Sequence, residues 1–192
     1  MKILLVVATK QEVIESKFKD CTVLVTGVDM VNTAIHLTEE LLKNKYDVVL
    51  NMGVAGSFSE DFKIGDVIEV VEDNFSEIGF ENGSGFEGFS DFEIVTKYNV
   101  VAKTNLQKVK GITVNTVHGN EKSITEIVNR LNPDVESMEG AAVFRICNEF
   151  MVPCMQIRAI SNIVEKRNKE NWNMSLAILN LNNQVEKIIM EL

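Results

Sequence analysis

Short apolar runs alternate with stretches of helical period along most of this chain, and few folds accommodate that alternation. Residues 3–8 are a β-branched-rich apolar run and 47–52 are another, as buried strands are. Further strands are predicted at 22–26, 66–71, 112–117, 134–137 and 154–160. Helices are predicted at 10–18, 31–43, 123–131, 138–150 and 171–192. In 31–43 the side chains of Val31, Ala34, Leu37 and Leu41 fall on one face. In 171–192 the same holds for Leu176, Leu179, Val185, Ile188 and Ile189, with Asn171 or Asn173 as the N-cap. Strands and helices in this order predict an α/β fold on a mixed, mostly parallel sheet. Residues 74–91, rich in Gly, Phe and acids, show no period and are predicted to be a long loop, a feature that often carries function. No linker, repeat or low-complexity tract interrupts the chain, so 1–192 is read as a single domain.

Composition removes several classes of function. A net charge of −9 disfavours nucleic acid and anionic membranes, which need a basic face. The cysteines Cys21, Cys147 and Cys154 are odd in number and form no CxxC, so neither a disulfide framework nor a metal site is expected. Reduced thiols fit a cytoplasmic protein. The apolar start at 3–8 is too short for a signal-peptide core, and no segment approaches the ~18 apolar residues of a membrane span.

The chemistry-bearing residues gather at strand ends, where parallel α/β sheets bind ligands. In Val135-Glu-Ser-Met-Glu-Gly-Ala-Ala142, Glu139 falls between a strand and a helix. In Ile157-Arg-Ala-Ile-Ser-Asn162, the pair Ser161 and Asn162 falls where an apolar strand stops. Their spacing is the strongest signal, although Glu139 also fits a first-turn helix acid and Asn162 a turn former. Glu12 follows the first strand and reads either as a helix-dipole acid or as a general base. Asn51-Met-Gly-Val-Ala-Gly56 reads as a glycine-punctuated turn through which backbone N–H groups could approach a ligand, or as a plain turn. His118 closes a strand and is more simply a structural histidine, as is His36 on its helix. Arg158, inside an apolar strand, is expensive to bury unpaired and is predicted to meet a carboxylate.

Together with Ile64-Gly-Asp66, these motifs resemble the purine nucleoside phosphorylase/hydrolase superfamily, and within it the nucleosidases, over nearly the whole chain. The resemblance implies a three-layer α/β/α sandwich and cleavage of the N-glycosidic bond of a purine nucleoside, without a cofactor. It implies Glu12 as the base that deprotonates water. It places Glu139 on the ribose hydroxyls, Met138 under the sugar, Val54, Ala55 and Gly56 along the substrate, and Trp172 against the purine face. Ser161 and Asn162 then handle the base. The superfamily also implies active sites beside subunit contacts. Five phenylalanines between Phe75 and Phe92 are more than a small domain buries easily, so a homodimer or higher homo-oligomer is expected.

One departure bears on the substrate. Adenine-specific nucleosidases carry Asp where this chain has Asn162. An amide cannot protonate purine N7, but its NH2 can donate to N7 or to a 6-oxo group. Asn162 therefore points to hypoxanthine or guanine nucleosides. The stretch Ser161-Asn-Ile-Val-Glu-Lys-Arg-Asn-Lys-Glu-Asn-Trp-Asn173, like Ile78-Gly-Phe-Glu-Asn-Gly83, is similar to that of futalosine hydrolases, which release hypoxanthine in a route to menaquinone. Asp29 is a second departure, at a position where such relatives tend to have glycine. The arginines, Arg130, Arg145, Arg158 and Arg167, lie far in sequence from Glu12 and Gly53, which favours water over phosphate as nucleophile. The alternatives are a methylthioadenosine/S-adenosylhomocysteine-type nucleosidase, a purine nucleoside phosphorylase, or an inactive nucleoside-binding protein.

Overall fold

The computed structural model describes residues 1–83 and 85–192. In chain order the elements are β1 (Ile3–Val7), β2 (Thr22–Val25), α1 (Met30–Lys43), β3 (Val48–Ser57), β4 (Val67–Phe75), β5 (Phe80–Asn82), β6 (Gly85–Glu87) and β7 (Lys97–Asn99). They continue with β8 (Gln107–Thr113), α2 (Glu121–Leu131), β9 (Val135–Ser137), α3 (Gly140–Glu149), β10 (Cys154–Ile163) and α4 (Met174–Glu191). The fold is mixed α/β around a central mixed sheet, as predicted.

β3 is the hub of that sheet. Its first half pairs with β1 on one side and β10 on the other, both parallel. Its last residues, Gly56 and Ser57, stay beside β10 and also pair antiparallel with β9. β10 pairs with β4, β4 with β8 and β8 with β9, so these strands return to β3 and close a ring. β2 continues the sheet beyond β1, and β7 pairs with the far half of β4. Every strand of the ring contributes to one apolar cluster: Ala55, Ile68, Val70, Val109, Val135 and Ile160.

Strand periodicity sorts the core into two layers. Ile3, Leu5, Val7, Leu50, Met155 and Ile157 meet Ala177, Leu181, Val185 and Ile188 of α4. The alternate residues Leu4, Val6 and Val49 meet Leu37 and Leu41 of α1 and Val143, Phe144 and Cys147 of α3. Asn173 caps α4, its side chain accepting from Leu176 N.

Several elements differ from expectation. Residues 10–18 form two 3-10 turns, Lys10–Glu12 and Glu15–Lys17, instead of one helix, because Val13 turns into the α4 core. Asn51–Gly56 is no turn: β3 runs straight through both glycines to Ser57. β8 stops at Thr113, which leaves His118 in a loop. Ser161 and Asn162 lie within β10, where Ser161 is the extra residue of a bulge between Ile160 and Asn162. Bulges re-aim side chains beside active sites. In the stretch predicted as a loop, β4 extends to Phe75 and β5 and β6 pair antiparallel; Ser84 lies outside the described residues.

One α4 residue fastens the first turn to the core. Asn182 is fully buried. Its Nδ2 donates to Glu12 O (2.9 Å) and Ile178 O (2.8 Å), and its Oδ1 accepts from Ile14 N (2.7 Å). Asn182→Leu strands Glu12 O and Ile14 N, and should lower stability by roughly 2–4 kcal/mol in urea unfolding. A loss below about 0.5 kcal/mol would show that this clamp carries little weight.

Candidate active site

A cavity of about 270 Å³ opens where β1, β3, β9 and β10 end. Glu12, Val54, Ala55, Gly56, Met138, Glu139, Ser161, Asn162 and Trp172 all line it, so the structure brings the residues that the resemblance assigned to the site to one place, while His36 and Arg158 do not line it. Thr9, Val28, Val117, His118, Glu136, Ser137, Met174 and Ile178 line it too.

Glu12 is buried and held at both oxygens. Oε2 accepts from Thr9 N (2.9 Å) and faces Thr9 Oγ1 (3.4 Å), which closes a small capping box. Oε1 accepts from Val54 N (3.3 Å). The carboxylate therefore caps its turn and faces the cavity at once.

Glu139 is the N-cap of α3, yet its side chain makes no cap bond. Ser137 Oγ accepts from Gly140 N (3.4 Å) and Thr113 Oγ1 from Ala141 N (2.7 Å), so other residues serve the helix end. The freed carboxylate accepts from Asp29 N (3.2 Å). Burial pushes the Glu139 carboxyl above its usual range; the charge of Arg158 and the Asp29 N–H oppose this, while Glu12 reinforces it. Asp29 holds φ 91, a conformation that favours glycine. Its side chain compensates by accepting from Val31 N (2.7 Å) and Asn32 N (2.8 Å) at the start of α1. The aspartate thus keeps the backbone contact to Glu139.

Behind the two glutamates lies a buried polar network. Arg158 Nη2 donates to Asn51 Oδ1 (2.6 Å) and Gln156 Oε1 (2.9 Å), with Ser137 Oγ at 3.5 Å. Among the described residues no carboxylate comes within ion-pair distance of it, contrary to expectation; amides hold it, because Asn51 and Gln156 flank it on the same sheet face. Its Nη1 crosses Gly53, where a Cβ would lie 2.3 Å from Nη1 and 2.9 Å from Glu12 Oε1. The cation thus lies against Gly53 and on the Glu12 side of the sheet, short of an ion pair, although it is distant in sequence. Gln156 Nε2 in turn donates to Asp73 Oδ2 (2.8 Å), and Thr113 Oγ1 to Asp73 Oδ1 (2.9 Å).

At the other end, Asn162 Oδ1 faces Ser161 Oγ (2.8 Å) and Nδ2 donates to Ile163 O (3.1 Å), which orients the amide. Arg167 stacks on Trp172, its guanidinium carbon 5.2 Å from the ring centroid. Thr9, Asn182, Glu136, Gln156 and Asp73 were not picked out from sequence. A polar residue at an apolar strand or helix position was the available signal for Glu136, Gln156 and Asn182.

The chain matches the family model of the phosphorylase superfamily over residues 7–190, and it belongs to that family. It is similar to the 5′-methylthioadenosine/S-adenosylhomocysteine nucleosidase of Bacillus cereus (strain G9842), at 28% identity over 185 residues that cover 88% of this chain and 80% of that protein. Among solved structures it is similar to a mutant Helicobacter pylori MTAN with 5′-methylthioadenosine in the active site. That match has TM-score 0.87 and 18% identity, over 100% of this chain and 99% of that one. It is also similar to the futalosine hydrolase of Helicobacter pylori strain 26695, with TM-score 0.88 and 18% identity, over 100% and 98% of the two chains. At such identity these structures share the fold.

Asp73 yields a pH prediction. Burial raises its carboxyl from 3.8 to about 6, against the hydrogen bonds of Gln156 and Thr113 and the charge of Arg158. Between those values the folded protein keeps a proton that the unfolded chain has released, so stability falls as pH rises through the window. The fall should be on the order of 3 kcal/mol. Denaturant unfolding at several pH values should show that slope in the parent and a flatter one in Asp73→Asn. Equal slopes would assign the titration elsewhere.

Proposed function

We propose that this protein is a purine nucleosidase that hydrolyses futalosine to hypoxanthine and the dehypoxanthinyl product. The nucleosidase class rests on superfamily membership and on two buried carboxylates, Glu12 and Glu139, facing one cavity with an aromatic residue and an amide at its other end. Glu139 holds the ribose hydroxyls, Met138 lies under the sugar and Trp172 covers the purine. Glu12 takes a proton from water, whose oxygen bonds to C1′ as the C1′–N9 bond breaks; the electron pair leaves with the purine, which Asn162 stabilises by hydrogen bonding until it takes up a proton from solvent. The charge of Glu139 favours the cation-like sugar between those events.

The observation that carries the choice of base is Asn162, whose amide is oriented by Ser161 and the Ile163 carbonyl. It donates to N7 or O6 of a 6-oxopurine. Water is preferred to phosphate because no Lys or Arg is among the described residues lining the cavity, while Glu12, Glu136 and Glu139 are. An inactive binding protein would have no need of both Glu12 and Glu139. The reading with a specific observation behind it is the adenine-type nucleosidase, since the similar curated proteins are methylthioadenosine/S-adenosylhomocysteine nucleosidases.

Futalosine, inosine and methylthioadenosine, incubated separately, should give hypoxanthine from futalosine fastest. Faster adenine release from methylthioadenosine would replace this reading with the adenine-type one. Asn162→Asp should slow the hypoxanthine nucleoside by about tenfold to a hundredfold, the discrimination that one mispaired buried group supplies. Glu12→Gln keeps the shape and removes the basic site, so turnover should fall ~10²-fold or more with binding retained. Turnover within a few-fold of the parent would discard Glu12 as the base.

A homodimer is part of the proposal. Val31, Ile35 and Leu42 are exposed along α1, and Val28, exposed just before it, also lines the cavity. Phe80, Phe89 and Phe92 form an exposed aromatic cluster. Light scattering at micromolar concentration should give a dimer or larger; a monomer would refute it.

A further inference from the structure

Glu136 and His118 line the cavity beside Asn162, and the chemistry proposed above gives them no role. Glu136, on β9, is buried, and its Oε2 lies 2.6 Å from His118 Nδ1. Its carboxylate also accepts from His118 N, at 3.1 Å to Oε1. The imidazole meets Phe58 edge to face, with centroids 5.9 Å apart. The loop after β8 is thereby pinned to β9, and the carboxylate is fixed in direction. A carboxylate offers about four lone-pair sites, so these contacts leave it capacity to accept from a ligand.

The sheet sets Glu136 next to Asn162. Gly56 of β3 is in register with Glu136 on one side and with Asn162 on the other. A Cβ on Gly56 would lie 3.2 Å from Asn162 Nδ2 and 3.6 Å from Glu136 Cγ. An amide donor and a carboxylate acceptor therefore lie side by side over one glycine at the purine end of the cavity.

Seated with Asn162 at the 6 position, that order of groups matches one kind of base. Along its edge a 6-oxopurine presents N7 and O6, both acceptors, and then N1–H, a donor. Adenine presents N7, then a 6-amino donor, and then N1 as an acceptor. With the donor at the 6 position and the acceptor at N1, the pair complements the first edge and opposes the second at both positions. Building on the nucleosidase reading, we infer that Glu136 is a specificity-determining residue that accepts the N1–H of a bound 6-oxopurine. His118 is the positioning residue that fixes its carboxylate.

The test methylates the substrate at N1, which removes the donor without touching the protein. The parent's kcat/KM is measured on inosine and 1-methylinosine, or on futalosine and its N1-methyl derivative if inosine is not taken. Glu136→Gln is measured on the same pair and on adenosine. In the variant, His118 N–H and Nδ1 claim the amide oxygen, which turns the NH2 towards the base. The parent should lose about tenfold to a hundredfold on the N1-methyl substrate. In Glu136→Gln that methyl penalty should shrink, and the ratio of adenosine to 6-oxopurine cleavage should rise. A parent that cleaves the methylated and unmethylated substrates within about threefold overturns the inference even if the variant fails to fold, and leaves the nucleosidase reading intact. A parent that cleaves no purine nucleoside overturns both.

Discussion

One buried guanidinium organises this molecule. Arg158 is 2% exposed, in the middle of the strand that joins the two halves of the ring. Removing such a charge from water costs several kcal/mol and is tolerable only where hydrogen bonds and opposite charge surround it. Asn51, Gln156 and Ser137 supply the bonds, and Asp73, Glu139 and Glu12 supply the charge around it. Among the described residues its Nε has no hydrogen-bond partner, so the network spends stability to keep the cation there. Two glycines follow from the same constraint. Gly53 leaves room for Nη1, and Gly140 leaves room for Gln156 and Asp73, whose oxygens would lie 1.9 Å and 2.2 Å from any Cβ.

The cation makes two neighbouring carboxylates tolerable at one cavity. Burial and the charge of Glu12 raise the cost of ionising Glu139, and Arg158 offsets it. Each carboxylate is then aimed by a contact from a distant part of the chain. Val54 N turns one oxygen of Glu12 towards β3, and Asn182 of α4 holds its backbone. Asp29 N holds Glu139 from the start of α1. A site assembled from β1, β3, β9, β10 and two helices is therefore as rigid as the sheet closure beneath it. The bulge at Ser161 adds the local adjustment that turns Asn162 to the cavity.

The sheet and its flanking helices were legible in the alternation of apolar runs, because each run has strand length and each helix a clear face. The boundaries were less so. Glycine in Asn51-Met-Gly-Val-Ala-Gly56 reads as a turn signal, but here it marks a strand crossed by an arginine side chain, a tertiary demand with no local trace. The first predicted helix broke into 3-10 turns because Val13 is drawn into the α4 core. The candidate residues Glu12, Glu139 and Asn162 could be named because carboxylates and amides at strand ends are conspicuous. Their supports could not, since Asn182 and Gln156 acquire meaning only through partners more than eighty residues away. His118 read as structural because its pairing with Glu136 arises across a loop that strand periodicity extended too far.

The identity of the nucleophile tests the account most directly, because it depends on Glu12, on Arg158 being committed to the protein, and on a cavity lined by carboxylates. The purified protein is given its nucleoside in phosphate buffer made with oxygen-18 water, and the sugar product is weighed by mass spectrometry. Hydrolysis predicts a free sugar carrying one heavy oxygen at C1′, at a rate that does not change when phosphate is left out. A sugar 1-phosphate, or a rate that rises with phosphate concentration, would contradict it.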